Sequence, residues 1–252
     1  MERFSIRLAD HAFGIECRSL AVRDFFADYI VPDTETKLSA SVTDNELREI
    51  IASSPSVTPE TAEITGLHRT IAEKLPDLGG FVFHGAAICV NGIGYVFTAP
   101  SGTGKSTHIR LWREYLGDAV GIVNGDKPVI TVGENGIFVH GTPWAGKERW
   151  QRNRSVPLGG ICLLHRDNVC HAHVADADES IPFLLTQIYL PRDPASVGKT
   201  MTLMDTVLKN VPVISLYCDI SENAVKCGFE KLCSADYDTF KAENENQRSH
   251  RE

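Results

Sequence analysis

A glycine-rich segment followed by lysine and serine is the feature of this sequence with the clearest chemistry. Residues 99–106 read APSGTGKS. The apolar run before them predicts a strand and the amphipathic pattern after them predicts a helix. In a strand–loop–helix of this kind, backbone N–H groups and the positive end of the helix converge on an anion. The lysine then reaches the β- and γ-phosphates of a nucleotide, and the next hydroxyl binds Mg²⁺.

One position departs from the pattern G-x-x-x-x-G-K-[ST], because Ala99 stands where the first glycine is expected. An alanine fits there if its φ is negative. The alternative is an ordinary glycine turn before a helix, but the strand and helix predicted on either side favour a nucleotide-binding loop. The residues expected to contact the nucleotide are Ser101, Gly102, Thr103, Gly104, Lys105, Ser106 and Thr107.

Two further polar side chains lie close to this loop in the sequence. Asp126 follows the next predicted strand, residues 119–123, and a carboxylate at the carboxyl end of a strand beside the loop strand lies where α/β sheets bind ligands. His84 precedes the loop, inside an apolar run, residues 81–90, that predicts one buried strand. A hydrogen-bonded core histidine is therefore the alternative to a functional His84.

The order His-Gly, then Ser-Gly-Thr-Gly-Lys-Ser, then Asn-Gly-Asp resembles the catalytic domain of the HPr serine kinase/phosphorylase family. That family shares its phosphate-loop fold with the ATP-dependent phosphoenolpyruvate carboxykinases. The resemblance rests on residues 80–130. It implies an α/β domain with a mixed β-sheet, of the phosphoenolpyruvate carboxykinase-like P-loop type, and it implies ATP and Mg²⁺ as cofactors.

The resemblance also implies a role for each matching residue. Lys105 would contact the phosphates, and His84 would lie near the transferred phosphoryl group. Ser106 and Asp126 would bind Mg²⁺, and Asp126 would also act as general base for the acceptor hydroxyl. The family has two adjacent acidic residues here, whereas this chain has Gly125 before Asp126, which counts against the reverse, phosphorylase reaction.

The stretch after the predicted core, residues 140–150, reads HGTPWAGKERW. It is unlike the signature of an HPr-specific enzyme and is closer to HPr-kinase-like proteins associated with bacterial peptide-modification systems, some of which phosphorylate a serine of a precursor peptide. HPr itself is therefore not the expected acceptor. Among the four cations of residues 147–154, Lys147 and Arg149 are expected to close over the γ-phosphate, with a solvated basic stretch as the alternative. Trp144 and Trp150 are either adenine-stacking rings or, as we favour, core or lid residues.

These features predict an ATP-dependent kinase that transfers the γ-phosphate to a hydroxyl, with a serine of a small protein or peptide as the leading acceptor. A small-molecule kinase on the same scaffold is the first alternative, and a nucleotide-binding regulator without turnover is the second. A carboxykinase is disfavoured because such enzymes are much longer than 252 residues. A homo-oligomer is left open.

Four candidate metal ligands, His165, Cys170, His171 and His173, have no spacing of a structural zinc site. They are better explained by a hairpin with exposed histidines. His108 and Trp112 lie one helical turn apart and are expected to pack together.

The bulk composition restricts the possible partners and compartment. The formal net charge of −8 gives no general attraction to nucleic acid, and no apolar stretch is long enough to cross a bilayer. The first residues have no apolar signal region, and the seven cysteines show no Cys-x-x-Cys spacing. We therefore expect a cytoplasmic protein with reduced thiols and with no nucleic-acid or membrane partner.

The domain organisation follows from one well-marked helix and a glycine pair. Thr58 as N-cap, with Pro59 at the first helical position, predicts a helix that ends before Gly79 and Gly80. We expect a small N-terminal α+β domain at residues 1–78 and the HPr-kinase-like P-loop catalytic domain at residues 79–240. Residues 241–252 are highly charged and lack an apolar stripe, which predicts a disordered tail.

Overall fold

The computed structural model describes residues 1–32 and 36–249. Within these residues the strands are β1 (Glu2–Leu8), β2 (His11–Cys17), β3 (Ile30–Val31), β4 (Leu38–Ala40), β5 (Gly80–Val82), β6 (Ala86–Val90), β7 (Ile93–Thr98), β8 (Val120–Asn124), β9 (Val129–Gly133), β10 (Gly136–His140), β11 (Ser155–Arg166), β12 (His171–Val174) and β13 (Val213–Cys218). The α-helices are α1 (Leu20–Phe25), α2 (Asp44–Ser53), α3 (Pro59–Lys74), α4 (Lys105–Leu116), α5 (Ala177–Leu185), α6 (Pro194–Asn210), α7 (Glu222–Cys233) and α8 (Tyr237–Ser249). Short 3₁₀ helices form at Ala27–Tyr29, Leu75–Leu78 and Gly117–Ala119.

Strands β1–β4 and helices α1–α3 form what we call the N-terminal unit. Its sheet has the order β3-β1-β2-β4, and β1 and β2 form an antiparallel hairpin. Helix α3 begins as predicted, with the Thr58 side chain accepting from the N–H of Thr61. Helix α2 is capped by Thr43, which forms a reciprocal capping box with Glu46.

The remaining strands form one mixed sheet of nine strands. Their order is β5-β9-β10-β11-β7-β6-β8, and β13 pairs with both β11 and β12. The pairs β11–β7 and β11–β13 are parallel, whereas β6 runs antiparallel to both β7 and β8. This mixed sheet with surrounding helices confirms the predicted α/β class. Asp126 was expected after a strand adjacent to the loop strand, but β6 lies between β7 and β8.

The apolar run at residues 81–90 is not one strand, as the sequence predicted. It is divided into β5 and β6 at residues 83–85, where the backbone N–H groups bond to two other segments, residues 126–128 and Gln187. Phe83 donates to the carbonyl of Pro128, His84 to that of Gln187, and Gly85 to that of Asp126. His84 is therefore not a core histidine on a strand, and 38% of its side chain is exposed.

Helices cover the large sheet on both faces. Trp112 of α4 and Phe229 of α7 are buried in one apolar cluster, and Met204 and Val207 of α6 are buried in another. A third cluster fills the N-terminal unit and also takes in Trp144 from the large-sheet part of the chain. The two parts thus share a continuous apolar contact rather than a polar linker.

The charged segment expected to be a disordered tail is helical as far as residue 249, and residues 250–252 lie outside the described chain. The sequence prediction was wrong there because α8 is anchored at its start. The ring of Phe240 packs in a tilted arrangement 4.7 Å from the ring of Phe229 of α7, and Lys241 forms a 2.6 Å ion pair with Glu222. Tertiary contacts of the first turn therefore allow a charged sequence to continue as a helix.

Candidate active site

The glycine-rich loop connects β7 to α4, as the sequence predicted. Gly102 and Gly104 adopt φ values of 81° and 119°, where glycine is favoured because it has no β-carbon. Gly104 is the N-cap of α4, and Lys105 is the first helical residue. Ser101 and Gly102 are exposed, while Ser106 is partly buried in the first turn. The loop thus presents a helix N-terminus to an incoming anion.

Lys105 is held across the loop. Its Nζ donates to the carbonyl of Ala99 at 3.0 Å. The Ala99 side chain is buried in the apolar cluster under α4, so the alanine in place of glycine points into the core and not into the loop. Burial lowers the pKa of Lys105, and the nearby charge of Asp126 partly offsets that effect.

Asp126 is positioned by the fully buried side chain of Asn124, the last residue of β8. The Asn124 Oδ1 accepts from the N–H of Asp126 at 2.9 Å and from the N–H of Lys127 at 2.7 Å. The Asn124 amide donates to the carbonyl of Thr142 at 2.9 Å. A turn built in this way fixes the backbone that carries the carboxylate.

His84 and Asp126 meet directly. The His84 Nε2 lies 3.4 Å from Asp126 Oδ1, and the other ring nitrogen, Nδ1, lies 2.9 Å from the Gln187 side-chain oxygen. The N–H of Gly85 donates to the Asp126 carbonyl at 2.9 Å, which ties the two backbones together. This meeting follows from the topology, because the start of the antiparallel β6 lies at the same sheet edge as the ends of β7 and β8.

The Asp126 carboxylate is ionised at neutral pH. Burial acts to raise its pKa, but hydrogen bonds with His84 and with the ammonium of Lys127 outweigh burial and hold the pKa at about 2. A carboxylate with so low a pKa is a weak proton acceptor. It is well suited to binding a cation or to orienting a hydroxyl.

Gly125 stands where the resembled family has a second carboxylate, and the structure gives a reason for the glycine. A β-carbon built at Gly125 would lie 2.6 Å from the carbonyl oxygen of Ala145 and 3.3 Å from the β-carbon of Trp150. Contacts of 2.6 Å with backbone are not tolerated without movement. The segment 145–150 therefore occupies the space that a second side chain would need.

The loop at residues 141–150 connects the site to the N-terminal unit. Trp144 is buried against Phe26 and His68, and its Nε1 donates to the carbonyl of Ile64 at 3.2 Å. This confirms the core role favoured for Trp144 and excludes adenine stacking in this arrangement. The Trp144 carbonyl in turn accepts from the N–H of Lys127 at 3.2 Å.

Lys147 and Arg149, expected to close over the γ-phosphate, are both exposed. The residue between them, Glu148, makes the contact with the P-loop helix, through a 2.6 Å ion pair with Arg110 of α4. The Arg110 guanidinium also lies 5.4 Å from the ring centre of Trp150. The loop is thus attached to α4 by Glu148 and Trp150, while the two cations extend into solvent.

Sequence reasoning missed several residues that shape the site. Gln187 and Arg166 are the clearest, since Gln187 holds His84 and the Arg166 guanidinium bonds to the carbonyls of Gly102 and Thr103. Both are more than 60 positions from their partners in the sequence, so no local pattern marks them. Lys127 could have been found, because it adjoins Asp126.

The residues present fit Mg²⁺ when it is considered together with a nucleotide. In residues 1–32 and 36–249, no group of three or more His, Cys, Asp and Glu side chains could hold a metal ion by itself. Mg²⁺ is commonly bound by one or two carboxylates together with substrate phosphates. Ionised Asp126, the Ser106 hydroxyl and phosphate oxygens would make such a set.

The histidines near residue 170 do not form the expected hairpin with β11, because β13 lies between β11 and β12. The ring of Tyr217 stacks between His165, at 4.4 Å, and His171, at 4.7 Å.

His108 and Trp112 pack as predicted, with the Trp112 Nε1 donating to His108 Nε2 at 2.9 Å.

A scan against protein-family models found no match for the chain, and a search among curated proteins found none either. Among the described helices, none combines the length and the apolar character needed to cross a bilayer.

Proposed function

We propose that the chain is an ATP-dependent kinase that transfers the γ-phosphate of ATP to a hydroxyl, with a serine of a small protein or peptide as the acceptor. One observation carries the proposal. Lys105, at the start of the P-loop helix, lies within electrostatic reach of an ionised Asp126 that is held by His84. A phosphate-binding group and a hydroxyl-orienting carboxylate at one sheet edge are the parts that phosphoryl transfer requires.

The chain's own residues divide this chemistry between them. The loop N–H groups and the Lys105 ammonium neutralise charge on the phosphate oxygens. Asp126 orients the acceptor hydroxyl, and since its pKa is about 2, orientation rather than early proton removal is its contribution. Mg²⁺, held by Ser106, Asp126 and the phosphates, would supply further charge neutralisation when bound.

The proposal includes a phosphoenolpyruvate carboxykinase-like P-loop fold. It is supported by the mixed sheet, by the P-loop after β7, and by the antiparallel β6 that brings His84 to the same edge. The side chain of His84 is 38% exposed to solvent and that of Asp126 is 22% exposed. This exposure supports an acceptor that reaches the site from solution.

The test is Mg²⁺-dependent ATP binding by calorimetry, followed by phosphate transfer from labelled ATP to serine peptides and small hydroxyl compounds. Lys105→Ala is expected to abolish binding, whereas Lys209→Ala, which removes an exposed lysine on α6, is expected to leave it intact. Asp126→Asn is expected to keep ATP binding and to lose transfer.

The outcomes separate the alternatives. Transfer to serine peptides, absent with their alanine counterparts, supports the proposal, and transfer only to small compounds favours the small-molecule kinase. Tight ATP binding without transfer to any acceptor would favour a regulator. Absence of nucleotide binding would remove the proposal altogether.

A further inference from the structure

A cavity of about 720 Å³ opens beside the P-loop, on the side of β7 away from Asp126. It is lined by Thr103 and Gly104 of the loop, by the first turns of α4, and by the residues that follow β11 and β13. Its volume falls within the range of about 300–1,000 Å³ typical of sites for small molecules and cofactors. A ligand whose phosphates lie in the loop would extend into this cavity.

Part of the cavity wall is apolar. Leu111 of α4, Leu164 of β11 and Ile220 after β13 contribute aliphatic surface. His165 also lines the cavity, and its ring lies parallel, within 13°, to the ring of Tyr217 at 4.4 Å. Preformed apolar walls of this kind bind planar or puckered rings with little reorganisation.

The polar groups at the rim accept hydrogen bonds. Asp167 follows β11, and its Oδ1 accepts from the N–H of Val169 at 3.1 Å. Asp219 follows β13 and accepts from the N–H of Ser221 at 3.0 Å. Arg166 also lines the cavity, at the loop end, where its guanidinium donates to the carbonyls of Gly102 and Thr103. The carboxylates of Asp167 and Asp219 lie after β11 and β13.

We infer that this cavity binds the nucleoside part of the nucleotide, and that Asp167 and Asp219 select it by accepting from its hydrogen-bond donors. The inference rests on the proposed function. Carboxylates repel phosphate, so they suit the nucleoside end of the ligand. The hydrogen-bond donors of a nucleoside are the ribose hydroxyls and the exocyclic amino group of adenine or guanine. Either kind of group can donate to a carboxylate oxygen.

The experiment compares the affinities of Mg²⁺-ATP and Mg²⁺-tripolyphosphate by calorimetry. ATP is expected to bind at least about tenfold more tightly, the effect of one hydrogen bond to a charged group. ITP lacks the exocyclic amino group and 2′,3′-dideoxy-ATP lacks the hydroxyls, so the weaker of the two identifies the donor that is recognised. If both bind as ATP does, recognition by the carboxylates is wrong.

Two variants place the effect in the cavity. Asp167→Asn keeps a side-chain oxygen that can accept from the Val169 N–H. Ile220→Trp adds bulk at a rim position that is 76% exposed. Both variants are therefore expected to fold. Each is expected to weaken ATP without weakening tripolyphosphate. Asp24→Asn, an equal charge change at an exposed position of α1, is expected to alter neither.

Equal affinity of the wild-type protein for ATP and tripolyphosphate would overturn the inference while leaving the phosphate site intact. Parallel losses of both ligands in Asp167→Asn and Ile220→Trp would also overturn it. If the wild-type protein binds neither ligand, the proposed function fails first and the inference fails with it.

Discussion

Gly146 lies directly against Asp126. A β-carbon built at Gly146 would stand 3.0 Å from the β-carbon of Asp126. Gly146 also has a φ of 72°, in the left-handed region. Glycine is therefore required at this position both for its backbone conformation and for the space it leaves, and the loop at residues 141–150 fixes one side of the carboxylate.

Gly146→Ala is expected to lower the phosphate-transfer rate by up to about a hundredfold, because misplacing a catalytic group by about 1 Å can have an effect of that size. ATP affinity should change little. The control is Gly92→Ala, since Gly92 has a φ of 82° and no described atom lies within 4 Å of its added β-carbon. Both variants carry the backbone cost of about 1 kcal/mol. An equal loss of rate in both would show that the contact with Asp126 is irrelevant.

Asn124→Ala is expected to lower the free energy of unfolding by about 2–4 kcal/mol, because it leaves the N–H groups of Asp126 and Lys127 without their acceptor. Urea unfolding measures the change. Asn210→Ala, which removes an exposed hydrogen bond to Thr206, is expected to change stability by less than about 0.5 kcal/mol. Similar stability of the Asn124 variant and the wild type would contradict the assigned role of the buried turn.

Gln187→Met is expected to reduce the transfer rate about tenfold, since it removes the acceptor that orients the His84 ring. The KM for ATP should stay close to that of the wild type, because the Gln187 oxygen bonds to His84 and to Thr98 at the end of β7 and not to the residues of the loop itself. A double-mutant cycle with His84→Ala tests the coupling. Additive effects of the two substitutions would show that Gln187 does not act through His84.

The unfolding free energy is expected to fall as the pH is lowered from about 6.5 towards 4. Burial lowers the pKa of His108 to about 4, and burial does the same for His68 and His140. In the unfolded chain these histidines take up protons near pH 6.5, whereas in the folded chain they do so only near pH 4. Their contribution to the unfolding free energy is therefore fully present above pH 6.5 and is lost as the pH falls towards 4. Urea unfolding at several pH values measures this slope.

His108→Phe isolates one contribution to that slope. Phenylalanine does not titrate, so the decline between pH 6.5 and 4 should be smaller than in the wild type. At pH 8 the variant should be less stable by about 1–3 kcal/mol, because the Trp112 Nε1 loses its acceptor. An unchanged pH slope would mean that His108 is not held neutral by its burial.

Local rules in the sequence were sufficient for the elements that depend on neighbouring residues. The turn between β6 and β7 is an example, because Asn-Gly is typical of two-residue hairpin turns and Asn91 and Gly92 both adopt a positive φ, of 49° and 82°. The start of α3 follows from Thr58 and Pro59, and the tight loop before α4 follows from Gly102 and Gly104. Each of these signals acts within a few residues and needs no tertiary context.

The features that sequence reasoning missed depend on distant partners. The break in the run at residues 81–90 exists because its N–H groups bond to Pro128, Gln187 and Asp126, which lie about 40 to 100 positions away. Trp144 could not be assigned to the N-terminal unit from its surroundings in the sequence. The meeting of His84 and Asp126 was implied by the resemblance, whereas the geometry that produces it is the antiparallel direction of β6.

Gly125 limits how this site could change by mutation. A codon change from glycine to aspartate would introduce a second carboxylate in one step, but its β-carbon would meet the Ala145 carbonyl at 2.6 Å. The chain between Ala145 and Trp150 would have to shift first, and that chain is fastened through Trp144 to the N-terminal unit. A variant with paired carboxylates would therefore need coordinated changes in two parts of the protein, and a single substitution at Gly125 would not produce it.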